Sequence, residues 1–527
     1  MNKILFASLL FFVTATYGQF SETSKVPTTN EVGVSKLTSD IAPVQAPFAM
    51  PVFKKPQFPK YEVRITGKGA TEQALVTKEI QAAIDNVSQH GGGSVIVPSG
   101  KWKTGRIALK SNVNLKLEEG AELHFSGKIE DYQPAVFTLS EGVEMMSLGA
   151  MIYANGQENI AITGKGKIVG PSDSVMKPQE SKGTVIENII SADMPVNERI
   201  FDGKNNGRIF YPLCISPVNC KNIYIEGITI NNSLFWNIVP IYCDGVVIRG
   251  ITVNSKGGRT DGIDIQSTRN VLIEYCNLSC GDDCFTFKGG RNEDGMRVNK
   301  PSENIVVRHC LTGDGAGAVT CGSETAGMIR NVYVHDCVFY GTKAGLYFKT
   351  RRPRGGGGEN LTYERIRINV PGKAISVDMM GSKTYVGELA ERLPVREINR
   401  LTPVYRNVTI RDLIVEKASI FLLIVGIPES PMTGFSIENA DVTSSRLISI
   451  TDVKNLSIHN SVIQTPDSVI KILGCQNVLF SNVKFPKFFK TEVLGDFSDN
   501  IQFKNCIPLK PFNWNKDVFY NEEKTGK

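Results

Sequence analysis

Lys221-Asn222-Ile223-Tyr224-Ile225 is followed 23 residues later by Asp244-Gly245-Val246-Val247-Ile248, and 25 residues after that by a copy opening at Arg269-Asn270. An earlier copy is Glu158-Asn159-Ile160-Ala161-Ile162. Later ones open at Glu303-Asn304, Arg330-Asn331, Glu359-Asn360, Arg406-Asn407, Thr433-Gly434, Lys454-Asn455, Gln476-Asn477 and Asp499-Asn500. From Asn270 onward the steps are 34, 27, 29, 47, 27, 21, 22 and 23 residues. Each copy is an Asn or Gly followed by apolar residues at period two, which marks a short strand. Strands recurring every ~20–30 residues, with loops of uneven length between them, indicate a solenoid. A single coil cannot bury its inner face, whereas stacked coils bury it against one another. The expected fold is therefore all-β, a right-handed parallel β-helix.

The eleven cysteines fall into step with this repeat. Cys276, Cys310, Cys337 and Cys506 each lie six residues after the opening Asn, where other copies carry Ile251, Ile366 and Leu413. Cys220, Cys243 and Cys475 each lie two residues before it. Such positions suit buried thiols stacked in interior ladders, and one or two disulfides are the other possibility for an exported chain. The repeated Asn suits a turn residue whose side chain bonds the neighbouring backbone.

Ahead of the repeat, Val76 to Gln89 places Ile80, Ala83, Ile84 and Val87 at helical spacing and stops at Gly91-Gly92-Gly93. This predicts a short N-terminal helix capping the open end of the solenoid. Met1-Asn2-Lys3, the apolar stretch Ile4 to Ala15 and the small residues near Gly18 form a signal-peptide pattern over residues 1–18, too short to span a bilayer. Export to the periplasm or beyond the cell is expected. Residues 19–60 are expected as a linker and lead-in, residues 61–508 as one β-helix domain, and residues 509–527 as a C-terminal tail.

Composition sets outer limits. With 527 residues, 41% hydrophobic and 21% charged, the chain is neither disordered nor a disulfide mini-scaffold. The net charge of +6, without a dense Lys/Arg run, gives no footprint for nucleic acid.

Two consecutive copies carry acidic residues in unusual company: Gly258-Arg259-Thr260-Asp261-Gly262-Ile263-Asp264, then Cys280-Gly281-Asp282-Asp283-Cys284. Asp261 and Asp282 are 21 residues apart, about one coil, so stacking sets them one strand spacing of ~4.8 Å apart. Asp261, Asp282 and Asp283 then crowd one surface, and like charges at that range push at least one carboxyl toward its protonated form. An acid beside a base is what cleavage of a glycosidic bond needs. A calcium site or solvated corner acids are the other readings of the same residues. Lys288, Arg291, Arg297, Lys349, Arg351 and Arg352 lie on the same coils, and one sign of charge along a groove points to an anionic chain as ligand.

These blocks resemble glycoside hydrolase family 28, the polygalacturonase family, in its bacterial form. The resemblance rests on Asp261-Gly262-Ile263-Asp264 and Gly281-Asp282-Asp283, with Lys288-Gly289-Gly290-Arg291 and Pro301-Ser302-Glu303-Asn304 beyond them. Asn232-Ser233-Leu234-Phe235-Trp236-Asn237 and residues 61–125 also resemble the family. The resemblance implies a pectate-lyase-like solenoid and an inverting mechanism with Asp282 as general acid and Asp261 and Asp283 holding and activating water. It also exposes departures. Arg259 stands where the family usually has Asn, Ala316 replaces the His of a Gly-His-Gly motif, and Tyr347-Phe348-Lys349 replaces Arg-Ile-Lys. Arg259, Lys349, Tyr347, Lys288 and Arg291 are the candidate substrate-binding residues. Tyr347 and Phe348 either form an apolar platform for a sugar ring or pack the coil. Arg259 either binds a carboxylate or sulfate or lowers the pKa of Asp261.

The expectation is an exported, metal-independent hydrolase of pectin-like or other acidic polysaccharide, with altered sugar recognition and no cofactor. Its partner is an acidic polysaccharide or oligosaccharide, with no nucleic acid and no membrane span, and it is expected as a monomer. A polysaccharide-binding β-helix without turnover, or a lyase on the same scaffold, are the alternatives. The long segment from 165 to 210 is expected to wall off one end of the groove.

Overall fold

Every coil turns on a residue that accepts a positive φ. In the computed structural model, which describes residues 25–66, 74–171, 176, 184–191, 193–204, 207–494 and 498–508, the repeated Asn sits in the left-handed region. Asn270 has φ 58° and Asn304 φ 56°, and the two copies without Asn have Gly245 at 76° and Gly434 at 72°. Gly and Asn visit that region at the least cost, which is why these two residues occupy this corner. Five residues on, a second left-handed residue recurs: Tyr275, His309, Asp336, Arg365, Asp412 and Asn439 among them. The residues between and after these corners form the strands. The Asn side chains also bond coil to coil. Asn304 donates to Asn270 at 3.3 Å, Asn331 to Asn304 at 3.0 Å, and Asn500 to Asn477 at 2.8 Å.

The strands pair in parallel, coil on coil, into a right-handed β-helix. Among the described residues one sheet runs through 22 strands and a second through nine, beginning at Ile263–Gln266. A three-stranded sheet, Ile107–Ala108, Ala150–Asn155 and Leu213–Val218, continues the second face toward the N-terminus through the bridges Ile215↔Ile238 and Ile238↔Ile263. The helix Thr77–Gln89 buries Ile80, Ala83, Ile84 and Val87 in the core at the N-terminal end, as its spacing predicts. All eleven cysteines are free and buried, so the thiols pack the interior rather than bridging it. The expected signal peptide and C-terminal tail lie outside the described residues.

Charge alternates from coil to coil. The residue before the corner Asn or Gly reads Glu158, Lys221, Asp244, Arg269, Glu303, Arg330, Glu359, Arg406, each in register with the next. Three of these contacts are ion pairs: Arg269–Asp244 at 2.7 Å, Arg330–Glu303 at 2.6 Å and Arg406–Glu359 at 2.5 Å. A slip by one coil would set like charges beside each other, so the pattern opposes that misregister. A second ladder, Glu226, Arg249, Glu274 and Arg308, is largely buried, with Arg249–Glu274 at 2.8 Å and Arg308–Glu274 at 2.7 Å.

The stretch expected as a linker covers this second ladder. Residues 25–58 lie along the outside of the 22-stranded sheet, where Ile41, Val44, Phe48, Phe53 and Phe58 pack on the column Ala161, Tyr224, Val247, Leu272, Val306 and Tyr333. The carbonyls of Thr38, Ala42 and Pro27 accept hydrogen bonds from Arg249, Arg308 and Arg367, at 2.9, 2.7 and 2.7 Å. Its spaced apolar residues find a matching outward-facing apolar column, and the segment is a strap rather than a free linker.

Glu274 is the one carboxylate shared by Arg249 and Arg308 on this ladder. Glu274→Gln removes the buried carboxylate that both guanidinium groups share, and urea unfolding is expected to show a loss of about 3–5 kcal/mol. A loss below 1 kcal/mol would mean the ladder does not hold the coils together.

Candidate active site

The nine-stranded face bends where two consecutive residues enter the core: Cys284-Phe285, Ala318-Val319 and Ala374-Ile375. At that bend the preceding residue is turned outward. A Cβ on Gly317 would lie 2.7 Å from Asp283 Oδ1 and 2.2 Å from Thr320 Oγ1, so this position faces the carboxylate and only glycine fits. Ile263 pairs with Phe285 and Phe285 with Val319, so Asp261 stands beside Asp283, a step of 22 residues. The 21-residue step expected from the sequence would have stacked Asp261 on Asp282 instead. Asp282 lies one residue earlier in the same corner, half-buried, while Asp261 and Asp283 are each 2% exposed.

The corner is pinned by its backbone. Asn237 Nδ2 donates to the carbonyl of Asp261 at 2.7 Å, Gly262 N to that of Asp283 at 2.9 Å, and Ala316 N to that of Asp282 at 2.8 Å. Thr260, fully buried, donates to Ser255 O at 2.5 Å and accepts from Gly281 N at 3.0 Å, tying one corner to the next.

Two lysines supply the counter-charge. Lys288 Nζ lies 2.7 Å from Asp264 and 3.2 Å from Asp261, with the Trp236 ring 3.5 Å below it. Lys349 Nζ donates to Asp283 Oδ2 at 2.7 Å, and Asp283 Oδ1 is buried with no protein partner. Burial raises the pKa of Asp282, and the adjacent Asp283 raises it further against the opposing pull of Lys349 and Lys288. Burial also holds Asp261 well above the usual carboxylate range. Lys288 opposes this, while Asp282, Asp264 and Asp283 reinforce it. Glu324 behaves oppositely. Its burial favours the neutral form, but Arg354, Lys288, Arg291 and Arg351 together take it down to about 2, so it is a fixed anion. Among the described residues no group of three or more His, Cys, Asp or Glu side chains is arranged to hold a metal ion.

Asp261, Asp282, Asp283, Lys288 and Lys349 line a cleft of about 140 Å³, together with Phe235, Trp236, Arg259, Glu141, Ser323, Glu324 and Tyr385. One wall comes from the antiparallel hairpin Val136–Ser140 and Val143–Ser147, whose turn carries Glu141 to within 3.9 Å of Arg259. Behind it the helix Thr184–Ser191, the described helical part of the 165–210 segment, packs Ile186 and Ile189 on Val143 and Met145. The other wall carries Tyr385, on the short helix Lys383–Val386, with its ring 4.6 Å from the Arg351 guanidinium.

Of the residues expected to bind substrate, Arg259, Lys288 and Lys349 line the cleft and two do not. Arg291 is 2% exposed and braces the hairpin and helix through Glu141 at 3.1 Å and Glu187 at 2.7 Å. Gly289-Gly290 lead the chain off the coil into the helix Asn292–Val298, which takes Arg291 away from the groove. Tyr347 lies outside the cleft lining, its ring 4.9 Å from Lys349 Nζ. Lys288 is buried between Asp261 and Asp264, so it positions carboxylates instead of meeting a sugar. Phe348 belongs to the core and forms no platform with Tyr347, because neighbouring residues of a strand face opposite sides. Arg352, one of the expected groove cations, is buried against Glu429 at 2.5 Å. Trp236, Asn237 and Asp264 lie within the family-like blocks without an assigned role, and Glu324 lies outside those blocks. Glu141 and Tyr385 come from insertions that carry no repeat.

A parallel β-helix whose groove holds an acid and paired carboxylates belongs to the glycosidase class of catalysts. The sequence profile described as "Glycosyl hydrolases family 28" matches residues 201–444. A probable polygalacturonase of Vitis vinifera is 28% identical over 456 residues, 82% of this chain and 83% of that protein. An endo-polygalacturonase of Pectobacterium carotovorum subsp. carotovorum is 26% identical over 59% of this chain and 74% of its own length. The crystal structure of a hyperthermoactive exopolygalacturonase from Thermotoga maritima superimposes with a TM-score of 0.66 at 27% identity, covering 81% of this chain and 93% of that one. The chain is a polygalacturonase-like glycosidase, its match to glycoside hydrolase family 28 spanning residues 201–444.

Lys349→Met removes the cation nearest Asp282 and Asp283. The Asp282 proton then leaves at higher pH, so the alkaline limb of the pH–rate profile is expected to move upward while kcat falls ~10²-fold. An unmoved limb would detach Lys349 from the acid.

Proposed function

We propose that this chain is an exported, inverting hydrolase of pectin-like or other acidic polysaccharide. The observation that carries the proposal is the half-buried Asp282, raised in pKa, beside the ion-paired Asp261 and Asp283 in an open cleft. Asp282 gives its proton to the glycosidic oxygen as the bond from the anomeric carbon breaks. A water held by Asp261 and Asp283 adds to that carbon from the opposite side and yields its proton to the pair. Export follows from the N-terminal pattern. No helix among the described residues is long and apolar enough to cross a membrane.

Sugar recognition departs from the family pattern in two places. Arg259 presents a guanidinium over the carboxylates, suited to a carboxylate or sulfate of the substrate in place of Glu141. Tyr347 sets an aromatic ring where the family usually has Arg.

The test is product release from polygalacturonate and from sulfated marine glycans. New reducing ends without absorbance from unsaturated uronate identify a hydrolase, and absorbance rising with cleavage would make it a lyase. Asp282→Asn is expected to cut kcat by ~10²–10⁴-fold while retaining binding. Unchanged turnover would remove Asp282 from the acid role.

A further inference from the structure

The outward column that begins with the aspartates continues along the groove. In register it reads Asp261, Asp283, Gly317, Ala344, Lys373, through the pairs Gly317↔Ala344 and Ala344↔Lys373. Two carboxylates are followed by two of the smallest side chains and then by a lysine. Gly317 and Ala344 are buried, and Lys373 stands three strand spacings from Asp283, about 14 Å at ~4.8 Å each. The adjacent column places Tyr347 beside Lys373, half-buried, with its ring 5.9 Å from Lys373 Nζ and 4.9 Å from Lys349 Nζ. The two lysines differ in one respect. Lys349 is paired with Asp283, whereas Lys373, also half-buried, forms no ion pair among the described residues.

We propose that Lys373 and Tyr347 form a separate subsite for an anionic sugar residue of the bound chain, remote from the bond being cut. The Lys373 ammonium takes the carboxylate or sulfate, and the edge of the Tyr347 ring lies against the sugar. This proposal rests on the acidic-polysaccharide function above.

The experiment uses the full-length Asp282→Asn protein, in which binding is read apart from turnover. Calorimetry is run with oligogalacturonates from dimer to hexamer, their methyl esters, and sulfated galactan oligomers, before and after adding Lys373→Gln. Lys373→Gln is expected to weaken the longer acidic oligomers about tenfold and the neutral esters less than twofold. Lys373→Arg is expected to restore affinity, and an unchanged melting temperature shows that the variant is folded. A loss on sulfated but not carboxylated chains identifies sulfate as the anion. Equal affinities with and without Lys373, in a protein that does bind the acidic oligomers, overturn the subsite alone. Failure to bind any acidic oligomer overturns the acidic-substrate function and the subsite with it.

Discussion

The whole molecule depends on a backbone constraint at one corner: a positive φ that admits Asn or Gly once per coil. That corner fixes where each strand begins, and parallel pairing then sets each coil on the last in a register that the Asn ladder and the alternating charges reinforce. Because the register is maintained over many coils, residues far apart in the chain become neighbours in columns. Asp261 and Asp283 are such a pair, and so are Glu274 and its two arginines.

The site uses that regularity and then breaks it. At the bend beside the nine-stranded face, the alternation of in and out pauses for one residue, and the side chains just before it face the groove. This turns a position that would otherwise continue the core into a row of carboxylates. Burying them is costly, and the cost is offset by Lys288, held between Asp261 and Asp264, and by Lys349, paired with Asp283. Glu324, surrounded by arginines, adds a fixed negative charge close to Lys288. The consequence is a cluster in which burial raises Asp282 and Asp261 while the nearby ammonium groups oppose the rise.

Much of this was legible in the chain because it repeats. The Asn or Gly corner, the apolar alternation and the cysteine positions all recur, so coil, core and thiol packing followed from spacing. The aspartates were legible because they sit inside the repeat, although the 22-residue register was misjudged by one. Counting from Asp to Asp stacks Asp261 on the first of two adjacent aspartates, and only the strand pairing Ile263↔Phe285 selects the second. Glu141 and Tyr385 lie on insertions without a period, so nothing in the chain tied them to the cleft. Arg291 and Lys288 looked like groove cations because their partners, Glu187 for one and Asp264 for the other, are set by contacts that spacing does not encode. The strap over residues 25–58 escaped notice for a related reason. Its apolar residues match a column on the outside of the coils, which is visible only once the coils are stacked.

The proposed roles put the three aspartates to work as an acid and a water-activating pair on opposite faces of one sugar bond, and such an arrangement leaves a stereochemical trace. Proton NMR of the first-formed reducing end, recorded before mutarotation, reads it directly. The geometry proposed here gives the inverted anomer. A first-formed product with retained configuration would mean that one of these carboxylates attacks the sugar itself, and the roles assigned to Asp261, Asp282 and Asp283 would not stand.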